Sequence, residues 1–469
     1  MKESRKAAGL IAILVLMTCA ASLPAQEVDE AALAAASEAG LLPQFGLGLG
    51  LGTETIGGQT YQHINVKPDF GIGEFGIGLN IDLHFQLDLS PNAQEAVKIY
   101  GGDWIPDFEG NGKSFFDLYL PKISYLRYGK KGAPLFVKLG AIEDGTLGNG
   151  FIMGGYANTR FLPETKIAGL SFDLDGLLFN FPYLGFESFV GNLAQFDVVG
   201  GRLFARPLAW LSIPILQGLQ TGFTYVTDLK PELYTTTDPA QTGSPVSVFG
   251  ADFRLPIISS EIVSLAAFGD LVWENQTMGG MVGAGGKLFG IINLGAQLRL
   301  FGPGFVPTYF DSTYDLTRKA RADYIATPQT GDGIAAWFAL IGASFLDDQA
   351  MFNIVLDGPF KAAPAVPSSN LAEYPRLRGM VKVSEKLLGG IELSGVYEKF
   401  YLGKEGDFFG ELVSPKNAFI QGRISYKTGG ATIALVYDLA YDEVGANDGN
   451  DATPAFNVSS SLQTSLSLF

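Results

Sequence analysis

Side chains able to do chemistry are few. The chain has two histidines, His63 and His84, and one cysteine, Cys19. A histidine used in catalysis needs a carboxylate to orient it. Asp82 stands two residues before His84, and on a strand residues two apart share a face. The same spacing suits two polar residues of a wetted wall, and the chain is read as not an enzyme. "GTLGNG" (145–150) has the glycines of a phosphate-cradling loop but lacks its lysine and its strand-to-helix context. "DEVGANDGND" (442–451) is rich in oxygen donors, without the spacing of a calcium-binding helix–loop–helix. It reads as a solvated acidic loop, with Ca²⁺ left open. No cofactor or metal is expected.

The elements that carry these residues are strands. In "FGIGLNIDLHFQLDL" (75–89) every second residue is apolar from Phe75 to Leu89, and Asp82, His84 and Asp88 fall on the other face. "PQFGLGLGLGTETIGG", from Pro43, alternates Phe45, Leu47, Leu49 and Leu51 with four glycines. Apolar residues make 47% of the chain and charged residues 17%, with 60 glycines, 35 phenylalanines and 18 tyrosines. Beyond residue 25 no apolar run reaches the ~18 residues of a membrane helix. Hydrophobicity spread by alternation is the pattern of a transmembrane β-barrel.

The expected fold is therefore all-β: a transmembrane antiparallel up-and-down barrel of about 20 strands (range 16–22), with short periplasmic turns and long external loops. Strands are expected near 44–56, 60–73, 75–89, 115–128, 135–142, 167–175 and 177–192, and thirteen more follow from 197 to 469, with a poor fit at 333–346, apolar on both faces. Segments 90–114, 143–166, 229–245, 302–334, 359–375, 402–417 and 442–455 read as external loops. Residues 1–25 read as a signal peptide, with Lys2, Arg5 and Lys6 before an apolar stretch and cleavage expected after Ala25. Residues 26–42 read as an Ala-rich periplasmic lead-in or plug helix, and 43–469 as the barrel. Losing the leader removes the cysteine and takes the net charge from −16 to −18, which argues against a nucleic-acid partner. The last strand ends on Phe469, although Leu462, Leu466 and Leu468 take the opposite parity.

Alternation also assigns the inner face. By phase, Asp82, His84, Asp88, Arg202, Arg206, Asp252, Arg254, Arg299, Arg376, Arg378, Lys382, Glu392, Glu398, Arg423 and Asp438 line the lumen. Charges are costly against lipid and tolerable in water, where they either tune solute selectivity or pair with one another. "GNGFIMGGYANTRF" is too apolar for full exposure. Loop 143–166 is therefore expected to fold inward, with Phe151, Met153 and Tyr156 on the wall and Arg160 near the opening. The glycines of strand 44–56 offer it room.

"KLGAIEDGTLGNGFIMGGYANTRFLPETKIAGLSFDLDG" (138–176) resembles a segment of uncharacterised outer-membrane barrel proteins of spirochaetes and Bacteroidetes, and "GGRLFARPL" and "TGFTYVTDLKPE" are similar to further segments of that group. The resemblance implies the barrel and, more widely, porins and hydrophobic-solute channels. The resulting expectation is a passive channel for small polar solutes. Alternatives are a plugged transporter of hydrophobic solutes and a structural or adhesive surface barrel. Expected partners are outer-membrane lipid, the barrel-assembly machinery and small solutes, with the oligomeric state left open.

Overall fold

The computed structural model describes residues 44–467 apart from 57–58, 88–95, 111, 162–164, 235–241, 261, 347–348, 362–370, 429–430 and 442–455. The leader, the Ala-rich segment 26–42, Asp88, the acidic loop 442–451 and Phe469 lie outside the described residues.

Among the described residues twenty-two strands form one antiparallel sheet, and outside Phe75–Tyr128 each strand pairs with its sequence neighbours. Phe75–Leu79 and Ile81–Leu87 both pair with Gln59–Ile72 and are halves of one strand. Val97–Ile99 pairs with Ile81–Leu87 alone. Discounting these two pieces leaves twenty staves. Gln44–Ile56 pairs with Gln59–Ile72 on one side and with Phe456–Ser467 on the other, so the ladder returns to its first strand.

Period-two burial runs along the staves. In Val246–Ser259, Val246, Val248 and Asp252 are buried while Phe249 and Phe253 are exposed. The exposed parity is apolar: Leu203 is 58% exposed, Leu298 60% and Leu300 69%. A continuous apolar surface of this kind needs lipid against it. At the end carrying the short turns, Phe179, Trp210 and Phe289 are also exposed, as in the aromatic girdle of a membrane interface. Among the described residues no helix is long and apolar enough to cross a membrane.

Four sequence expectations need correction. Residues 115–128 are not one strand: Phe115–Tyr119 is helical, and the strand is Ile123–Tyr128. Ser114 and Asp117 cap the helix reciprocally, a start signal that outweighs the alternation around it. The strand expected over 177–192 is Leu184–Val190. It is shortened by a turn that Asp175 caps through the Leu177 amide and that ends on Asn180 at φ 56°. Residues 75–89 break at Asn80, whose amide donates to the Lys122 carbonyl at 2.8 Å. Segment 302–334 is not an external loop, since it holds the helix Tyr314–Ala326 with Tyr314, Arg318 and Arg321 buried. The doubly apolar 333–346 does form a strand, Ile334–Phe345. Its Ala336 packs in the interior core, while Ile341 and Phe345 are exposed on the outer face.

Ile424 is exposed on the outer parity of Ala418–Thr428, and Gln421 lies on the inner parity of the same strand. Ile424→Arg is predicted to destabilise the folded protein by about 2–4 kcal/mol if it sits near the midplane, and Gln421→Arg by roughly 1 kcal/mol or less. Urea unfolding in lipid vesicles measures both, and equal losses would contradict the facing.

Candidate functional site

Two connections fold inward and pack on each other. In the first, a turn is closed by Gly145 and Tyr156, which exchange backbone hydrogen bonds of 2.8 and 3.0 Å. The second lies alongside: the Thr308 amide donates to the Phe151 carbonyl, and the Phe310 amide to the Ile152 carbonyl, both at 3.1 Å. Phe151, Met153 and Tyr156 are buried, as are Phe305, Tyr309, Phe310 and Tyr314 opposite them. These side chains share one apolar core with Phe189, Val198, Val226, Val248, Val272 and Met281 of the wall. Gly148 permits the close approach. It sits at φ +57°, and a Cβ there would lie 2.9 Å from Arg202 Nε.

The described contacts of this turn therefore fall mainly on strands from Leu184 to Phe301, with Gly155 close to Arg378, rather than on the glycine face of Gln44–Ile56 as expected. A Cβ on Gly46 or Gly48 would stand 3.6 or 3.3 Å from the Cβ of Asp69 or Lys67. The room those glycines leave is used by side chains of the adjacent strand.

The helix Tyr314–Ala326 is held by charge. Arg318 is fully buried and forks onto Asp228, with Nε and Nη2 at 3.1 and 2.7 Å, while Nη1 donates to Asp197 at 2.9 Å. The Tyr314 hydroxyl also donates to Asp228, at 2.7 Å. The Tyr156 hydroxyl donates to Asp315 at 2.9 Å, joining the first segment to the helix. Arg321 starts a second line of pairs: it donates to Asp311 at 3.0 Å, Asp311 accepts from Arg376 at 3.0 Å, and Asp357 accepts from both Arg376 and Arg299, at 3.3 and 2.8 Å. Burial works against an ionised Asp311, yet Arg321 and Arg376 hold its carboxyl below the usual carboxylate range.

The inner-face residues expected from the sequence divide into groups. Arg202 forks onto Asp252 and also meets Glu187. Arg299 and Arg376 meet on Asp357, and Arg378 pairs with Glu398 at 3.1 Å. Asp82 pairs with Lys166, and His84 lies between Glu54 and Asp103. Arg160 donates to the Ser312 carbonyl at 2.8 Å and stacks over Phe419 at 4.3 Å. Arg206 follows the end of its strand and pairs with Asp175 at the turn end, away from the rest. Arg254, Lys382, Glu392 and Arg423 enter no ion pair among the described residues. Asp88 and the side chain of Asp438 lie outside the described residues.

Sequence reading missed Asp197, Asp228, Asp311, Asp315, Arg318 and Arg321. Asp311, Asp315, Arg318 and Arg321 sit on a connection, where alternation says nothing about facing, while Asp228 ends the strand Gln220–Asp228 and Asp197 immediately precedes Val198–Ala205. The one available signal was the charged i, i+3, i+6 row Asp315–Arg318–Arg321 in an otherwise charge-poor chain.

Burial pushes the Asp315 carboxyl up to about 7, with Arg318 opposing and Asp197 and Asp228 adding to the rise. A raised carboxyl favours the folded state while it keeps its proton. That contribution is complete below the usual carboxylate range, falls as pH rises, and is gone above about 7. Melting is predicted to occur at lower temperature at about pH 8 than at about pH 5, and Asp315→Asn should flatten the dependence between those values. An unchanged pH slope in Asp315→Asn would contradict the assignment.

No family model and no curated protein matches the sequence. Solved structures with a similar arrangement are outer-membrane proteins. OccK2 (OpdF) of Pseudomonas aeruginosa is 13% identical over 91% of this chain and 97% of its own, at a TM-score of 0.34. A BenF-like porin from Pseudomonas fluorescens Pf-5 is 12% identical over 91% and 98%, at 0.32. Wzi of Escherichia coli, described as a carbohydrate-binding β-barrel involved in capsule assembly, is 10% identical over 95% and 89%, also at 0.32.

Proposed function

We propose that the chain is an outer-membrane, porin-like channel for passive diffusion of small polar solutes, narrowed by its two infolded segments. The observation that carries this reading is the contrast between the two sides of the sheet. The outer parity is an exposed apolar belt, and the inner parity keeps Arg254 and Lys382 solvent-exposed, with Glu392 and Arg423 half-buried, in no ion pair among the described residues. Such charges are stable on a membrane-spanning wall only if water reaches them. The paired residues Arg202, Asp252, Arg299, Arg376, Arg378 and Glu398 stiffen the wall behind the plug. Phe151, Met153, Tyr156 and Arg160 form the constriction in this proposal. A cleaved leader, insertion by the barrel-assembly machinery, the long loops facing outward, and kinship with spirochaete and Bacteroidetes barrels belong to the same proposal.

The fully buried Arg318 centre favours a second reading, a barrel that stays plugged until a partner or solute releases it. Planar-bilayer recording separates the two. The proposal predicts stepwise openings of the purified protein, and silence would favour the plugged barrel. Lys382 and Arg423 both lie opposite Ser394, on either side of it, and so form one row on the inner wall. Reversing both charges (Lys382→Glu with Arg423→Glu) is predicted to shift the reversal potential in a salt gradient toward cation preference. An unchanged reversal potential would remove this row from the conducting path.

A further inference from the structure

The fold brings the chain's two histidines together. His63 pairs with His84 across Gln59–Ile72 and Ile81–Leu87, and the ring centroids are 5.4 Å apart. On the other side His63 lies opposite Gly52 of the first strand, whose missing side chain leaves the space open. Two residues along, Glu54 occupies the same inner face. Its Oε2 is 2.5 Å from His84 Nε2, while His84 Nδ1 is 2.5 Å from Asp103 Oδ2. Glu54, His63 and His84 are 8%, 7% and 1% exposed, and a donor atom from each lies within 4.8 Å of the others. His63 Nδ1 is buried with no hydrogen-bond partner among the described residues. A buried imidazole nitrogen without a partner is unfavourable.

We propose that Glu54, His63 and His84 bind a late first-row divalent cation of the zinc class on the inner wall. Two imidazoles and one carboxylate make a borderline donor set suited to such ions, and three protein ligands leave one position for water or a solute. Asp103 is the orienting group. By accepting from His84 Nδ1–H it fixes the tautomer and turns Nε2 toward the ion, as carboxylates behind metal-bound histidines do. The ion takes the place of the hydrogen bond between His84 Nε2 and Glu54, and gives the His63 imidazole a partner. Asp103 belongs to the turn Gly101–Asp103 in the long connection after Ile81–Leu87. Binding therefore ties that connection to the first strands of the sheet. A cavity of about 460 Å³, lined by Asn80, Asp82, Asp103, Lys122 and Lys166 among others, reaches Asp103 on the side away from the three ligands. The site does not depend on whether the protein conducts.

The test uses the full mature chain without a histidine tag, stripped with a chelator, folded in detergent and titrated calorimetrically with zinc sulfate alone. One saturable site is expected. It should disappear in His63→Ala and in Glu54→Gln, and weaken about 10–100-fold in Asp103→Asn. Each variant is first checked for the heat-modifiable gel mobility of a folded barrel, and His63→Gln replaces His63→Ala should the latter fail to fold. X-ray absorption of the zinc-loaded wild type gives a readout independent of any variant, and should show two imidazole ligands. No saturable binding, binding that survives loss of His63, or an all-oxygen shell would overturn the proposal.

Discussion

The interior is organised around one buried cation. Arg318 stands on a helix inside a connection, fully enclosed, and its guanidinium is satisfied only because Asp197 and Asp228 reach it from two adjacent strands. Removing either partner's charge, or the arginine, leaves an uncompensated charge in a site that water does not reach, a loss of about 3–5 kcal/mol. That constraint fixes the helix Tyr314–Ala326 against the wall. Through Tyr156 and Asp315 it also fixes the turn around Phe151 and Met153. The apolar core between the two segments is what charge holds in register. The chain of pairs from Arg321 through Asp311, Arg376 and Asp357 to Arg299 extends the same logic across the neighbouring staves.

This arrangement divides the interior. Much of the inner parity of the strands from Leu184 to Phe301 carries valines and Met281, which pack against the infolded segments, while Arg254 stays exposed. Elsewhere the inner parity carries the Glu54–His84–Asp103 group, Lys67 and the Lys382–Arg423 row. The proposed solute path and the proposed metal site both belong to that more polar part of the wall.

The sheet was legible in the sequence because a membrane wall enforces a period of two over long runs, and a slip of one residue would put Arg202 or Asp252 into lipid. A sheet of about twenty strands could be read from that rule together with the connection lengths, and Arg202, Asp252, Arg299 and Glu398, placed on the inner parity by the same rule, are buried. The inner connections were not legible in the same way. Tyr314–Ala326 buries Asp315, Arg318 and Arg321 beside Tyr314 and Ile325, so charge interrupts its packed face and no clean apolar stripe marks it. The Glu54–His63–His84 group was hidden for another reason. His63 and His84 meet only through a register between strands, which depends on the turn joining them and on the break at Asn80. Loop composition did reveal the apolar character of Phe151 and Met153, but not which stretch of wall would receive them.

The central claim is that Arg318 locks both infolded segments to the wall as one unit. Amide hydrogen exchange on the folded protein in detergent tests it directly. The account predicts that residues 145–156 and 305–326 exchange as slowly as the wall strands in the wild type. In Arg318→Met both segments should lose protection together while strands such as Ile292–Phe301 keep theirs. Fast exchange of the two segments in the wild type, or undiminished protection after Arg318→Met, would contradict it.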